Sequence, residues 1–259
     1  MAIDLLKKKV GIVLEKRKLP KITSEVKFAL DISGSMEGLY NNGTVQRLVD
    51  RCLAVATQFD DDGNMEAWTF TNGFDRLEDI TEAQHDGYVN KRILNNGRIS
   101  KWGGTSYAPV CRDILQNTFT REEIVRTSEI VEEKAGFLGK LFGKKDTTKE
   151  VFHESRQLVS ANTEHPALVI FITDGECGDA REAERVIIES QKNNIYWLMI
   201  GIGRDNFRVL RELGDKYPNV GFEKFDDIEG ISDDDFYMKL LNQEFCDWAK
   251  QHAAQRIAA

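Results

Sequence analysis

The stretch VKFALDISGSME (26–37) runs from apolar residues into Asp31, Ser33 and Ser35, three oxygen-bearing side chains at alternate positions beside Gly34. Two other stretches carry the same kind of atom. Thr105 follows Gly103 and Gly104, and Asp174 precedes Gly175 at the end of ALVIFITD (167–174). Hydroxyls and carboxylates are hard donors, suited to magnesium, manganese or calcium rather than to zinc, which favours nitrogen and sulfur. With only two carboxylates among its donors, a site of these five residues leaves a divalent ion unshielded by excess negative charge and with an open coordination position. An acidic group from another molecule would fill that position. Taken singly, each residue reads more readily as turn chemistry, because Asp, Ser and Asp-Gly close local turns. The metal reading therefore depends on the three stretches meeting.

For them to meet, strands must end side by side. VKFALDI (26–32), MEAWTF (65–70), ALVIFITD, IYWLMIGIG (195–203) and VGFEKF (220–225) read as strands. Helical spacing appears in 44–59, 85–94, 183–192, around FRVLRELGD, and from Ser232 onward, where Asp235 three positions later completes a capping box. This alternation predicts a three-layer α/β/α, Rossmann-like fold. Its central sheet is mostly parallel, with DRLEDI (75–80) as one short antiparallel edge strand. In open sheets of this kind ligands bind beyond the carboxyl ends of strands. Asp31 and Asp174 both fall at such ends.

Residues 1–24 are set apart as a basic N-terminal extension, with 25–259 as the domain. Lys7 to Lys27 holds eight basic residues against two acidic, and Glu223 to Asp235 seven acidic against one basic. Such segregation reads as solvated faces or a docking surface. Residues 121–165 form an insertion longer than a compact fold requires. Its inner part, GFLGKLFGKKD, mixes Phe and Leu with glycines and lysines, so the segment reads as a mobile insert, an amphipathic contact for a membrane or partner through 136–145, or a helical hairpin.

Composition removes several function classes. At 259 residues, 41% hydrophobic and 30% charged, the chain can bury a full α/β core, and disorder is disfavoured. No apolar run approaches the roughly 20 residues that span a bilayer, and MAIDLLKKKV lacks the order of a signal peptide, so a cytoplasmic protein is expected. A net charge of −8 opposes nucleic-acid binding. Cys52, Cys111, Cys177 and Cys246 form no C-x-x-C pair and are expected reduced. The four histidines, His85, His153, His165 and His252, have no metal-binding spacing and are expected at the surface. Glu37, Glu176 and Asp179 read as rim charges rather than ligands, and Trp102 and Tyr107 as either rim aromatics or packing residues.

D-x-S-x-S after the first apolar strand, a threonine in a glycine-rich loop, and FITDG, in that order, resemble the metal-ion-dependent adhesion site (MIDAS) of von Willebrand factor type A (vWA) domains. The resemblance covers roughly Glu25 to Trp248, interrupted by 121–165, and IGIG (200–203) resembles the family's later core strand. It implies a divalent cation, most often Mg2+, with Mn2+ or Ca2+ as alternatives. It further implies that Asp31 acts mainly through water, Ser33 and Ser35 bind directly, Thr105 binds directly or through water, and Asp174 binds directly or from behind a water. All five positions are present, so the resemblance implies an intact site. Across 26–110 the chain is most similar to the bacterial, intracellular vWA group associated with tellurite resistance and related stress operons.

A non-catalytic, metal-dependent protein-interaction module is thus expected, its cation receiving a carboxylate from a partner protein. The hydrolase alternative needs an activated nucleophile or base. No G-x-S-x-G elbow and no phosphate-cradling G-x-x-x-x-G-K-[ST] is present, and the second aspartate of an aspartate-nucleophile phosphatase is here Ser33. A peripheral membrane scaffold is the remaining class.

Overall fold

The computed structural model describes residues 3–19, 23–60, 63–133, 147–160 and 165–257, with backbone alone for 121–133, 147–160 and 252–257. The chain divides into two compact units, 1–115 with 163–259, and 116–162. In the larger unit six strands form one sheet: β1 (Glu25–Asp31), β2 (Glu66–Phe70), β3 (Phe74–Arg76), β6 (Ala167–Thr173), β7 (Ile195–Ile202) and β8 (Val220–Phe225). Their order is β3-β2-β1-β6-β7-β8, parallel throughout except for β3. The three-layer α/β/α fold is the one the strand and helix alternation predicts. β6 and β7 are buried along their whole length, which is why they read as unbroken apolar runs.

Period two assigns the two faces of the sheet. Phe28, Leu30, Ile170, Ile172 and Leu198 pack against α1 (Ile3–Arg17), α3 (Thr44–Phe59), α7 (Asp233–Leu240) and α8 (Gln243–Ile257). On the opposite face, Phe70 and Phe171 meet Tyr107 at the start of α4 (Ala108–Phe119). Phe222 of β8 meets Phe207, just before α6 (Arg208–Lys216); α5 (Ala180–Ser190) buries Ala183, Val186 and Ile187. A short helix α2 (Glu37–Asn41) follows β1.

Several expectations are corrected. The basic N-terminal stretch is not merely an extension: α1 places Leu6, Val10 and Val13 in the core, and Lys9 reaches Asp233 at 2.8 Å. Part of the segregated charge is therefore neutralised within the molecule. Residues 85–94 form a π-helical turn over Val89–Leu94 rather than an α-helix, and the Gln46 side chain accepts the Val89 N–H that a regular helix would use. The single helix expected from Ser232 is two. Ser232 caps α7 as predicted, accepting the Asp235 N–H at 3.1 Å, but Asn242 then accepts the Phe245 N–H at 2.9 Å and starts α8. His85 is not a free surface residue: its Nδ1 lies 2.9 Å from Asp50.

In the smaller unit, β4 (Thr120–Glu133) and β5 (Thr147–Ser160) form an antiparallel ribbon in continuous register from Thr120↔Ser160 to Glu133↔Thr147. This overturns the helical-hairpin reading for those residues, where β-branched residues such as Ile124, Val125, Ile130 and Val131 outweigh the helix formers between them. The 136–145 stretch read as a membrane or partner contact lies outside the described residues.

Candidate metal centre

β1 lies where the sheet reverses its winding, with β2 on one side and β6 on the other. Leu30 pairs with Ile172, so Asp31 and Thr173 emerge side by side at the carboxyl edge. The Asp31 carboxyl group is wholly buried. Its Oδ2 accepts the Thr173 hydroxyl at 2.5 Å and its Oδ1 the Ser33 N–H at 2.7 Å. Ser33 Oγ and Ser35 Oγ share a hydrogen bond at 3.2 Å, and Ser35 Oγ donates to Asp174 Oδ1 at 2.7 Å. Four of the five sequence-predicted residues are thus joined in one chain of contacts that runs from the buried Asp31 through Ser33 and the exposed Ser35 to Asp174.

Thr105 reaches the same edge through its loop. Gly103 bridges to Ser33, its carbonyl accepting the Gly34 N–H at 3.1 Å, and the Trp102 N–H donates to Ile32 O at 2.8 Å. The Thr105 carbonyl accepts the Gly178 N–H at 3.0 Å, which ties it to the loop after Asp174. Both glycines lie close to the neighbouring loop: a Cβ at 103 would lie 3.1 Å from Thr71 Cβ, which would have to give slightly, and one at 104 would lie 2.6 Å from Asn72 Oδ1, the end of an exposed side chain that can turn aside. Thr105 itself is half-buried.

Electrostatically the site lacks compensation. Burial pushes the Asp31 carboxyl up to about 6, against the opposing pull of the Thr173 hydroxyl and Ser33 amide. Burial also raises Asp174, opposed by the Ser35 hydroxyl. Among the described residues no lysine or arginine forms an ion pair with either aspartate. A buried carboxylate without a cationic partner is costly, and a cation brought into contact with it would remove that cost. The donor set of two carboxylates with serine and threonine hydroxyls suits a hard divalent ion. Among the described residues no three His, Cys, Asp or Glu side chains group as a metal site; the cluster here has two carboxylates, and its other side chains are hydroxyls.

The residues expected at the rim have other duties. The Asp179 carboxylate accepts the Tyr107 and Ala108 N–H groups at 2.8 Å each and so caps α4 from a distant loop. Glu176 accepts the Arg208 and Val209 N–H groups at the start of α6. Tyr107 is buried, its hydroxyl donating to Gly175 O at 2.5 Å, and Trp102 packs edge-on against Tyr40 with centroids 5.5 Å apart. Both aromatics are packing residues. Burial pushes the Cys177 thiol up to about 12, so it is held as a thiol. Sequence reading missed Thr173 and Tyr40, whose hydroxyl donates to Asp31 O at 3.0 Å. Thr173 carried a signal, being the one polar residue in ALVIFIT.

A doubly wound sheet with an oxygen-rich cluster at the edge of its first strand is an arrangement that von Willebrand factor type A domains share with other open α/β folds. The particular family follows from the match to the vWA domain found in the TerF C terminus, over residues 23–131 and 124–258, and this chain belongs to that TerF-like group. An uncharacterized protein of Bacillus subtilis, YcbR, is 37% identical over 254 residues, covering 96% of this chain and 87% of that protein. Among solved structures, proximal thread matrix protein 1 of the mussel byssus gives a TM-score of 0.54 at 14% identity, over 87% of this chain and 49% of that one. A second structure of the mussel protein, with a zinc-occupied MIDAS motif, gives 0.53 at 15% identity, over 87% and 48%. The chain spans about half the length of these solved structures, and at such identities the likeness concerns the fold alone.

Proposed function

We propose that this chain is a non-catalytic, metal-dependent protein-interaction module. Asp31, Ser33, Ser35, Thr105 and Asp174 hold one divalent cation, Mg2+ fitting the hard oxygen set best, with Mn2+ or Ca2+ as substitutes. When bound, the ion offers an open position to a carboxylate of a partner protein. Asp31 supplies buried negative charge, Thr173 and the Ser33 amide orient it, and Ser35 bridges Ser33 to Asp174. The observation that carries this reading is the wholly buried Asp31 carboxyl, held by one hydroxyl and one amide beside a chain of further oxygens. Kinship with the TerF-associated domain supports a place in a bacterial tellurite-resistance or stress system. A cytoplasmic location is part of this proposal; among the described residues no helix is long and apolar enough to cross a membrane. The zinc-occupied motif of the mussel protein makes Zn2+ the competitor to test.

Calorimetric titration of EDTA-stripped protein with Mg2+, Mn2+, Ca2+ and Zn2+ tests the cation. Capture of partners from source lysate with and without EDTA tests the bridge. Binding of Mg2+ lost in Asp31→Ala, with EDTA-sensitive capture, is expected. Capture that survives both EDTA and Asp31→Ala would sink the metal-bridged mechanism.

A further inference from the structure

Trp102 has a left-handed backbone, φ +62°, which a residue with a Cβ adopts only at a cost in strain. It is held there at both ends. Its N–H donates to Ile32 O at 2.8 Å, and its ring lies edge-on to Tyr40, interplanar angle 80°. Tyr40 is buried, and its hydroxyl donates to the backbone carbonyl of Asp31 at 3.0 Å. Immediately before it, the Lys101 ammonium group donates to the carbonyls of Asn96 at 2.6 Å, Ile99 at 3.1 Å and Ile93 at 3.3 Å, anchoring the approach. Immediately after it, the Gly103 carbonyl accepts the Gly34 N–H between Ser33 and Ser35.

We propose that Trp102 is a positioning residue, a strut that sets the Gly103–Thr105 loop against the Asp31–Ser35 loop and so fixes the spacing of their oxygens. This rests on the reading of the site as a cation site. The backbone turn at Trp102 decides where Gly103 meets Ser33, and two residues later where Thr105 stands. A glycine would take the left-handed turn without strain. A tryptophan there, braced on the tyrosine that holds Asp31, connects the two loops through side chains as well as backbone. Partners of this kind that orient ligands commonly change metal affinity by about 10- to 100-fold when removed.

The test uses the full chain stripped with EDTA, as wild type, Trp102→Gly and Tyr40→Phe, with Mg2+ titration, metal-free thermal unfolding and amide exchange at Gly34. In Trp102→Gly, relief of backbone strain offsets only part of the lost ring contact, so the metal-free unfolding temperature falls modestly. Mg2+ binds about ten-fold more weakly or worse, and the Gly34 amide exchanges faster. Tyr40→Phe shifts affinity the same way by less. A merely structural Trp102 would lower the unfolding temperature and leave affinity unchanged; wild-type affinity in both variants overturns the proposal while the cation site stands. Unchanged Gly34 exchange overturns the strut whatever the metal does. A wild type that binds no Mg2+ overturns the cation reading and the strut's role with it. Should Trp102→Gly not fold, Trp102→Ala, which removes the ring contact with Tyr40, decides by the same three measurements.

Discussion

At the scale of single residues, Asp31 carries the conflict that defines this molecule. Its carboxyl group is wholly buried beside one hydroxyl and one amide, and burial pushes its pKa up to about 6. A charge kept there at neutral pH opposes folding unless something positive joins it. Asp31→Asn is therefore expected to leave the metal-free protein at least as stable as wild type at pH 7. It should also abolish the rise in unfolding temperature that Mg2+ gives the wild type, as read in paired thermal scans. A large loss of metal-free stability would mean that Asp31 serves the fold. Ser35→Ala removes the hydroxyl between Ser33 and Asp174. Because Ser35 is exposed, stability should change by less than about 0.5 kcal/mol, while Mg2+ affinity drops measurably by calorimetry.

At the scale of elements, the contact of α1, α3 and α7 turns on Asp233. Lys9 Nζ lies 2.8 Å from its Oδ2 and Arg51 Nη2 2.9 Å from its Oδ1, with Arg51 and Asp233 both nearly buried. Burial alone would raise this carboxyl, but hydrogen bonds from Lys9 and Arg51 outweigh it and hold the pKa below its ordinary value. The sign follows: the stabilisation is full above the unfolded value of about 4 and is lost as pH falls through the lower folded value. Asp233→Asn should cost about 3 kcal/mol at pH 7, because Arg51 loses its buried counter-charge. The deficit should shrink in denaturant melts as pH falls below about 4. A second element-scale contact is that of β7 with the residue before α6. A Cβ at Gly201 would lie 2.8 Å from ring carbons of Phe207, which is fully buried. Gly201→Ala should destabilise by about 1–3 kcal/mol in urea melts.

At the scale of the whole molecule, the ribbon of β4 and β5 takes no place in the six-stranded sheet and clusters as its own unit. Replacing 121–160 with a short glycine-serine linker should preserve cooperative unfolding and Mg2+ binding, measured by circular dichroism and calorimetry. Loss of either would show that the ribbon supports the larger unit. The site, by contrast, draws on segments far apart in sequence: Asp31 and Asp174 come from strand ends separated by more than half the chain, and Thr105 from a loop between them.

The sequence by itself determined the sheet and the identity of its polar edge. Unbroken apolar runs such as ALVIFIT and IYWLMIGI mark parallel strands buried on both faces, and the residue where each run ends is visible without coordinates. Asp31 and Asp174 were legible for that reason, and the Ser232 cap because its partner lies three positions away. The β-ribbon was not legible, since the Glu and Arg residues that favour helix are interspersed with β-branched residues that favour strand, and the pairing of the two strands decides between them. Nor were Thr173 beneath Asp31, Asp179 capping α4, or Trp102 braced on Tyr40, because each depends on residues distant in sequence. Spacing along a chain fixes which atoms can leave a strand end. Only strand order and register decide which of them meet, because hydrogen bonds of about 3 Å are set by packing across the sheet.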